Sequence, residues 1–253
     1  MSTNYAPDGA RMSRVRTYLI YLVLDTSESM RRPSREAPQH GNAQEHFQRL
    51  IPQMIKQLSQ HPVIHSQAAV SVVAFNDEPD VLRPMTALNR SASISVPRLG
   101  YGTDYAAVLR FLGTQHASDA RKVKLDRVQE NYAVEVAAPW IFFITDGRPG
   151  NSERYQELSE WIGYRDALVN EPTGARIVAI GLPGADGDTL YRLATGQPTG
   201  ARNAFIAERG SNLRELSQSV VRAIEASIST STGTGLLTIN TPAGMRRIDG
   251  LTS

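Results

Sequence analysis

The chain has 253 residues, 27 Lys and Arg against 25 Asp and Glu, and no cysteine. This length suits one α/β domain with its own core, and the lack of cysteine excludes a disulfide scaffold, a thiolate metal site and a cysteine nucleophile. The positive excess lies at the two ends, so the near-neutral body argues against nucleic acid as the partner. No apolar run approaches the roughly 20 residues of a membrane span or matches a signal segment, so we expect a cytoplasmic protein without a membrane partner.

Continuous apolar runs predict strands that are buried on both faces of a parallel sheet. In chain order they cover 18–24, 68–75, 140–144 and 176–181, with a short antiparallel edge strand at 80–85 and another edge strand at 203–206. Helices are predicted between them, at 47–58, 103–112, 152–169, 188–194 and 211–228. The charged stretch 115–137 is interpreted as solvated helix and loop, and Ser211 as the N-cap of the last helix.

This alternation of strands and helices predicts a Rossmann-like, doubly wound, mostly parallel sheet with helices on both faces. Residues 1–16 are interpreted as a basic, flexible N-terminal arm, and 17–228 as the domain. From residue 229 the composition changes to Ser, Thr and Gly, which is typical of a flexible tail. Residues 229–253 are therefore interpreted as a C-terminal tail.

Three polar clusters are candidates for chemistry. Asp25-Thr-Ser27-Glu-Ser29 follows the first strand, Asp146-Gly follows the strand at 140–144, and Gly-Thr103-Asp opens a helix. In an open parallel sheet, ligands bind outside the carboxyl ends of the strands where the strand order reverses. If the strands at 18–24 and 140–144 are neighbours at that reversal, all three clusters converge there.

Oxygen ligands of this kind suit Mg²⁺, Mn²⁺ or Ca²⁺ better than zinc or copper. In an extended loop, alternate residues point the same way, so Asp25, Ser27 and Ser29 can face one ion while Glu28 faces outward. Hydroxyls are neutral ligands, so two carboxylates balance a divalent cation. A position left for an incoming carboxylate would make the site an anion receptor.

The pattern Asp25-x-Ser27-x-Ser29, the later Gly-Thr103 and the Thr-Asp146-Gly at a strand end resemble the metal-ion-dependent adhesion site of the von Willebrand factor A (VWA) family, over residues 17–228. The resemblance implies that Ser27, Ser29 and Thr103 ligate Mg²⁺ directly or nearly so. Asp25 and Asp146 would act largely through water, and a partner protein's Glu or Asp would complete the octahedron.

Within the family, the opening 24–30, the charged segment before residue 140 and the ending 144–149 look most like the bacterial TerY-like branch associated with tellurite resistance and stress signalling. That resemblance implies kinase or phosphatase partners. The sequence departs from the family pattern at Glu28, where a small residue is usual, and Asp104 adds a carboxylate beside Thr103. Both departures leave it open whether the site accepts a partner's carboxylate.

The sequence therefore predicts a non-catalytic, divalent-cation-dependent protein-interaction module. One alternative is a metal-dependent phosphoryl-transfer hydrolase that uses Asp25 or Asp146, although no cationic phosphate-binding residue lies in the three motifs. Another is the same fold with a purely structural metal. The glycine pair around Tyr101 lacks the third glycine of a dinucleotide-binding loop, and the scattered histidines give no support to a Ser-His-Asp triad.

Overall fold

The structure is a computed structural model that describes residues 13–33, 41–130, 132–151, 153–197 and 200–251. Its strands are β1 (Ser13–Asp25), β2 (Ala68–Phe75), β3 (Pro79–Ala87), β4 (Tyr132–Val136), β5 (Trp140–Thr145), β6 (Arg176–Gly181), β7 (Ala204–Ala207) and β8 (Met245–Arg247). Its helices are α1 (Glu28–Arg31), α2 (Ala43–Gln60), α3 (Ile64–Gln67), α4 (Tyr105–Gln129), α5 (Leu158–Val169), α6 (Gly187–Leu193) and α7 (Leu213–Thr234). Most of the predicted arm, residues 1–12, lies outside the described residues.

Within the described ranges, the strands form one sheet in the order β3-β2-β1-β5-β6-β7-β8, and β4 pairs with the first part of β1. The pairs from β2 to β7 along this order are parallel, and β3 pairs with β2 antiparallel, so the predicted fold class and its antiparallel edge strand are confirmed. The continuous apolar runs of β1, β2 and β5 are buried on both faces. One hydrophobic layer packs against α2 and α7, and the other against α4 and α5.

The prediction for the charged stretch 115–137 was only partly right. Helix α4 runs on to Gln129, and the end of the stretch forms β4 instead of loop. Strand β4 pairs in parallel with residues 13–17 of β1, and β5 continues along the same edge of β1 from Ile20. Between them stands Pro139, which has no N–H for the ladder and therefore separates the two strands.

The predicted flexible tail was wrong for the described part of 229–253. Helix α7 extends to Thr234, and β8 pairs antiparallel with β7, so the predicted edge strand at 203–206 is covered. The segment after α7 places apolar side chains in the core, namely Leu237, Ile239, Met245 and Ile248. The domain therefore does not end at residue 228. The N-cap of α7 is Asn212, which accepts from two backbone N–H groups, and not the predicted Ser211.

The predicted helix at 152–169 begins later, as α5 at Leu158. Gly150 forms an isolated antiparallel bridge with Tyr155, which keeps the chain extended before the helix. A capping box between Glu157 and Glu160 then starts α5.

Candidate metal centre

The carboxyl ends of β1 and β5 lie side by side. The two strands pair in parallel, with Leu24 opposite Ile144, which confirms that the predicted strands are neighbours. The chain proceeds from β1 to β2 on one side and returns to β5 on the other, so this is a topological switch point. Asp25 ends β1 and Asp146 directly follows β5, which brings both predicted acidic residues to the same crevice.

Asp25 is fully buried and held by two hydrogen bonds. Its Oδ1 accepts the backbone N–H of Ser27 at 2.8 Å, and its Oδ2 accepts the hydroxyl of Thr145 at 2.6 Å. Both carboxylate oxygens are therefore oriented by neighbouring residues, one from its own loop and one from β5.

Ser27, Ser29 and Asp146 form a continuous chain of oxygens. The two serine Oγ atoms are 3.1 Å apart, and the Ser29 hydroxyl donates to Asp146 Oδ1 at 2.8 Å. Ser29 lies in the helical turn α1, and not in the extended loop that we predicted. The two serines nonetheless meet, and Glu28 faces outward as predicted, where its Oε1 lies 3.0 Å from Arg32 Nη2.

Thr103 approaches the same crevice from the third loop. Its backbone N–H donates to Gly150 O at 2.7 Å and its carbonyl accepts from Gly150 N at 3.0 Å. A Cβ built on Gly147 would lie 3.3 Å from Thr103 Oγ1 and 3.9 Å from Asp25 Oδ2. The Thr103 hydroxyl and the Asp25 carboxylate therefore border the same glycine, and all five predicted ligands lie around one crevice.

Asp104 does not add a carboxylate to this crevice. Its Oδ1 accepts the backbone N–H of Ala107 at 2.8 Å, which caps α4, and the side-chain amide of Gln156 at 2.7 Å. The extra carboxylate that the sequence places beside Thr103 thus serves to start the helix.

Two residues that the sequence reasoning missed hold the Thr103 loop in place. Asp77 accepts the backbone N–H groups of Tyr101 and Gly102 at 2.8 and 2.9 Å, and Asn76 donates to Arg98 O at 3.0 Å. A Cβ on Gly102 would come within 2.5 Å of Asp77 Oδ1, so any larger residue there would require the Asp77 carboxylate to shift. Asn76 and Asp77 directly follow β2, so a polar pair after a buried strand is the signal that could have identified them.

Two further contacts tie the loops together. Asn76 Nδ2 donates to the Thr26 hydroxyl at 3.2 Å, and Arg31 of α1 donates to Gly100 O at 2.7 Å. The loop with the two serines and the loop with Thr103 are therefore connected both behind the crevice and beside it.

The crevice concentrates negative charge. Burial raises the pKa of Asp25, although hydrogen bonds from Ser27 and Thr145 oppose the shift. Burial also raises the pKa of Asp146, and the nearby charge of Asp25 raises it further, while the Ser29 hydroxyl and the charge of Arg32 act in the opposite direction. Neither carboxylate forms an ion pair with a basic side chain of the described residues.

This donor set fits a hard divalent cation. The described residues contain no group of three or more His, Cys, Asp or Glu side chains arranged to hold a metal. The crevice instead combines two carboxylates with three hydroxyls, which are ligands that Mg²⁺, Mn²⁺ and Ca²⁺ accept and that zinc and copper favour less. Ser29 is exposed and Asp146 is partly exposed. Both border a cavity of about 440 Å³, which Arg32, Leu182 and Pro183 also line.

An open, mostly parallel α/β sheet with an oxygen-rich crevice at its switch point defines the class of protein. The sequence profile of the von Willebrand factor type A domain matches residues 20–148, just over half of the chain. The chain therefore belongs to the von Willebrand factor type A domain family.

Solved structures share this fold. Proximal thread matrix protein 1 from the mussel byssus is 18% identical, with a TM-score of 0.53 over 86% of this chain and 49% of that chain. A structure of the same mussel protein described as having a zinc-occupied MIDAS motif, a metal-ion-dependent adhesion site, is 16% identical, with a TM-score of 0.54 over 86% of this chain and 48% of that chain. This chain thus spans about half the length of these neighbours.

No curated protein matches the chain significantly by sequence. Among the described residues, no helix combines the length and the apolar character that crossing a membrane would require.

Proposed function

We propose that this chain is a non-catalytic protein-interaction module that depends on a divalent cation. The hydroxyls of Ser27, Ser29 and Thr103 and the carboxylates of Asp25 and Asp146 would hold Mg²⁺, with Mn²⁺ or Ca²⁺ as substitutes. A Glu or Asp side chain of a partner protein would occupy the remaining position. The observation that carries the proposal is the pair of desolvated carboxylates, which face three hydroxyls and have no basic side chain of the described residues as an ion-pair partner.

A bound Mg²⁺ supplies positive charge to which an anionic oxygen can bind. The residues around the ion determine how much of its positive charge remains for that oxygen. Asp25 is kept in place by Ser27 and Thr145, and the three hydroxyls contribute no charge. Two carboxylates therefore neutralise the cation without overcompensating it, so an incoming carboxylate meets no third fixed negative charge from the site. The outward position of Glu28 and the capping role of Asp104 preserve this balance.

The hydrogen bonds of Asp25 argue against one form of the hydrolase alternative, in which Asp25 is the nucleophile. A nucleophilic Asp needs a free oxygen aimed at substrate, whereas both oxygens of the buried Asp25 accept hydrogen bonds from the protein. The purely structural metal is disfavoured by access, because Ser29 and Asp146 border an open cavity. A partner's side chain could therefore reach the ion from that side.

The zinc-occupied MIDAS of the mussel neighbour supports divalent-metal binding in this fold. We favour Mg²⁺ here because the donor set holds no imidazole or thiolate, which are the ligands that select zinc.

A role in a bacterial TerY-like stress-response or signalling system, in the cytoplasm and with a kinase or phosphatase partner, is a further part of the proposal. It depends on the sequence resemblance at 24–30, in the charged segment before residue 140 and at 144–149. A pull-down of the tagged full chain in Mg²⁺ and in chelator, followed by mass spectrometry, would test it. Recovery of a kinase or phosphatase only in Mg²⁺ is the expected result.

Calorimetric titration of the full chain with MgCl₂ tests the metal site. Thr103→Ala should weaken Mg²⁺ binding by about tenfold or more, since it removes one ligand and leaves both charges. Glu28→Gln is the matched control, because it neutralises a carboxylate of the same motif that faces Arg32. Equal affinities in the wild type and in Thr103→Ala would contradict the ligand assignment.

Carboxylate binding is tested with Mn²⁺ as the ion and acetate as the probe. Acetate should lower the water proton relaxation enhancement of the Mn²⁺-loaded chain, because the carboxylate displaces a bound water. No change at saturating acetate would favour the structural-metal alternative.

A further inference from the structure

A separate cavity lies away from the candidate metal centre. It has a volume of about 690 Å³ and is bounded by the second half of α2, by α3, by β3 and by the loop 88–94 that follows β3. Leu88, in its wall, donates its backbone N–H to Ala68 O at the beginning of β2, whereas the metal crevice lies at the carboxyl ends of the strands. The cavity is therefore at the opposite end of the sheet, and a ligand there would not contact the metal.

Four basic side chains line this cavity, and no acidic side chain does. We call it the basic cavity after Lys56 of α2, His65 of α3, Arg83 of β3 and Arg90 of the loop. The chain segments that form it, 46–76 and 81–103, contain no Asp or Glu. The acids between these segments, at positions 77, 78 and 80, lie where β2 ends and β3 begins, towards the metal crevice. A concave surface with an excess of one charge concentrates ions of the opposite charge.

Carboxylates from a neighbouring helix compensate only one of the four basic groups. Asp126 and Glu130 of α4 both bind Arg90, at 3.3 and 2.9 Å. Among the described residues, neither Lys56 nor Arg83 forms an ion pair with an acidic side chain. The basic cavity therefore keeps at least two positive charges without a counter-ion from the described part of the chain.

Arg83 is the most buried of the four basic side chains, with an exposure of 1%. Its Nη1 donates to the carbonyls of Val70 and Thr86, but its buried Nε has no hydrogen-bond partner in the described part of the chain. Burial lowers the pKa of Arg83 to about 10, so the guanidinium is still charged at neutral pH. A buried charge without a counter-ion is costly, and an anion in the cavity would supply that counter-ion.

We propose that the basic cavity binds a small phosphate monoester, with its phosphate at Arg83 and Lys56. A guanidinium can donate two parallel hydrogen bonds to phosphate oxygens, and an ammonium group binds phosphate as a compact point charge. The side chains of Asn89 and Ser91 also line the cavity and offer neutral donors for a third oxygen. Two uncompensated cations match the two negative charges of a phosphate monoester better than the single charge of a carboxylate.

The rest of the cavity wall fits the organic part of such a ligand. Ile55, Leu88 and Ile94 place apolar side chains beside the basic ones. The volume of about 690 Å³ lies within the range of roughly 300–1,000 Å³ that is typical of small-molecule sites. A concave site with an apolar wall and a few polar groups favours a small molecule over an extended partner surface.

Calorimetric titration of the full chain with phenyl phosphate and with inorganic phosphate tests the site. Both titrations are run in chelator and at constant ionic strength, so that the metal centre takes no part. Phenyl phosphate should bind more tightly than inorganic phosphate, because its ring contacts the apolar wall. Lys56→Gln should weaken phenyl phosphate binding about tenfold, since it removes one uncompensated cation. The matched control is Lys124→Gln, the same change at an exposed lysine of α4 on the other face of the sheet, which should leave the affinity unchanged.

Two substitutions of Arg83 test the buried charge. Arg83→Met removes the charge and should abolish phenyl phosphate binding. Arg83→Lys keeps the charge but loses the paired donors, so it should bind more weakly than the wild type and more tightly than Arg83→Met. If Arg83→Met does not fold, as circular dichroism would show, Lys56→Gln and Arg83→Lys decide the outcome.

The results also separate this inference from the proposed function. No binding of either probe by the wild type, or equal affinities in the wild type and Lys56→Gln, would overturn the phosphate site. Phosphate binding that requires Mg²⁺ and disappears in Asp25→Ala would place the anion at the metal centre and overturn it as well. A phosphoserine peptide that binds where both small probes fail would assign the cavity to a protein partner and refute the small ligand. Because the main titrations contain no metal, their failure leaves the proposed Mg²⁺ site standing.

Discussion

Replacing Asp146 by Asn should change the stability of the metal-free chain and its affinity for Mg²⁺ in opposite directions. In the metal-free chain, Asp146 is partly buried beside the fully buried Asp25, and both the burial and the Asp25 charge disfavour its ionised form. Asn keeps the shape and an oxygen for the Ser29 hydroxyl but removes the charge. The same change deprives a bound cation of one of its two carboxylates.

The magnitudes follow from the position of the two residues. They stand at the ends of neighbouring strands, and two like charges about 5 Å apart at an effective dielectric near 20 repel by about 3 kcal/mol. Removing this repulsion stabilises the metal-free chain, but Asn makes a weaker hydrogen bond with Ser29 than Asp does. We therefore expect the free energy of unfolding to rise by about 1–3 kcal/mol, which raises the melting temperature by about 3–10 °C. At the same separation, the attraction between a divalent cation and one carboxylate is about twice the repulsion between two carboxylates. The Mg²⁺ affinity should therefore fall at least about hundredfold when the Asp146 charge is removed.

Thermal unfolding at pH 8 in chelator, together with calorimetric Mg²⁺ titration, measures both quantities. Asp104→Asn is the matched control, since it neutralises the carboxylate beside Thr103 while Asn still caps α4. The control should keep its Mg²⁺ affinity and gain no comparable stability. A metal-free Asp146→Asn variant that melts below the wild type would refute the repulsion, and an unchanged Mg²⁺ affinity would remove Asp146 from the metal centre.

Two other predictions concern residues that support the site and the core. Asp77→Ala should weaken Mg²⁺ binding about tenfold with little change in melting temperature, because the Thr103 loop loses two hydrogen bonds at an exposed position. Calorimetry and thermal unfolding test this. An unchanged affinity would show that the two hydrogen bonds of Asp77 are not needed to position Thr103. A chain that ends at residue 234 should lose about 6 kcal/mol or more of its free energy of unfolding, because the deletion removes four buried side chains, Leu237, Ile239, Met245 and Ile248. A chain that ends at residue 250 keeps all four and should melt like the full chain. That loss is comparable with the whole stability of a domain, so a cooperative melt near the wild-type temperature for the 234-residue chain would contradict the burial.

The central strands could be predicted because their sequence signal is local. A continuous apolar run such as 18–24 has no stable place except between two helical layers, and the chain order of strands and helices limits the topology. Strand β4 gave a weaker signal, since Tyr132–Val136 places Glu135 between apolar residues and pairs only with the exposed beginning of β1.

The C-terminal segment shows where composition misleads. Ser, Thr and Gly are typical of flexible linkers, but here the hydroxyls bond to the backbone within the fold. Thr232 donates to the carbonyl of Ile228 one turn earlier, and Ser231 accepts the backbone N–H of Thr238 at 3.0 Å. Such contacts depend on the tertiary path of the chain, which composition does not contain.

The five predicted ligands could be placed because each follows a strand or opens a helix, and the sheet brings those positions together. The position of Asp77 directly after β2 could have marked it as a candidate in the same way, but its hydrogen bonds could not be predicted, since they depend on a loop 25 residues later in the chain. The role of Asp104 was open to prediction from its position alone. Asp directly before an apolar-periodic helix is a preferred N-cap, and that simple role removes the third charge from the crevice.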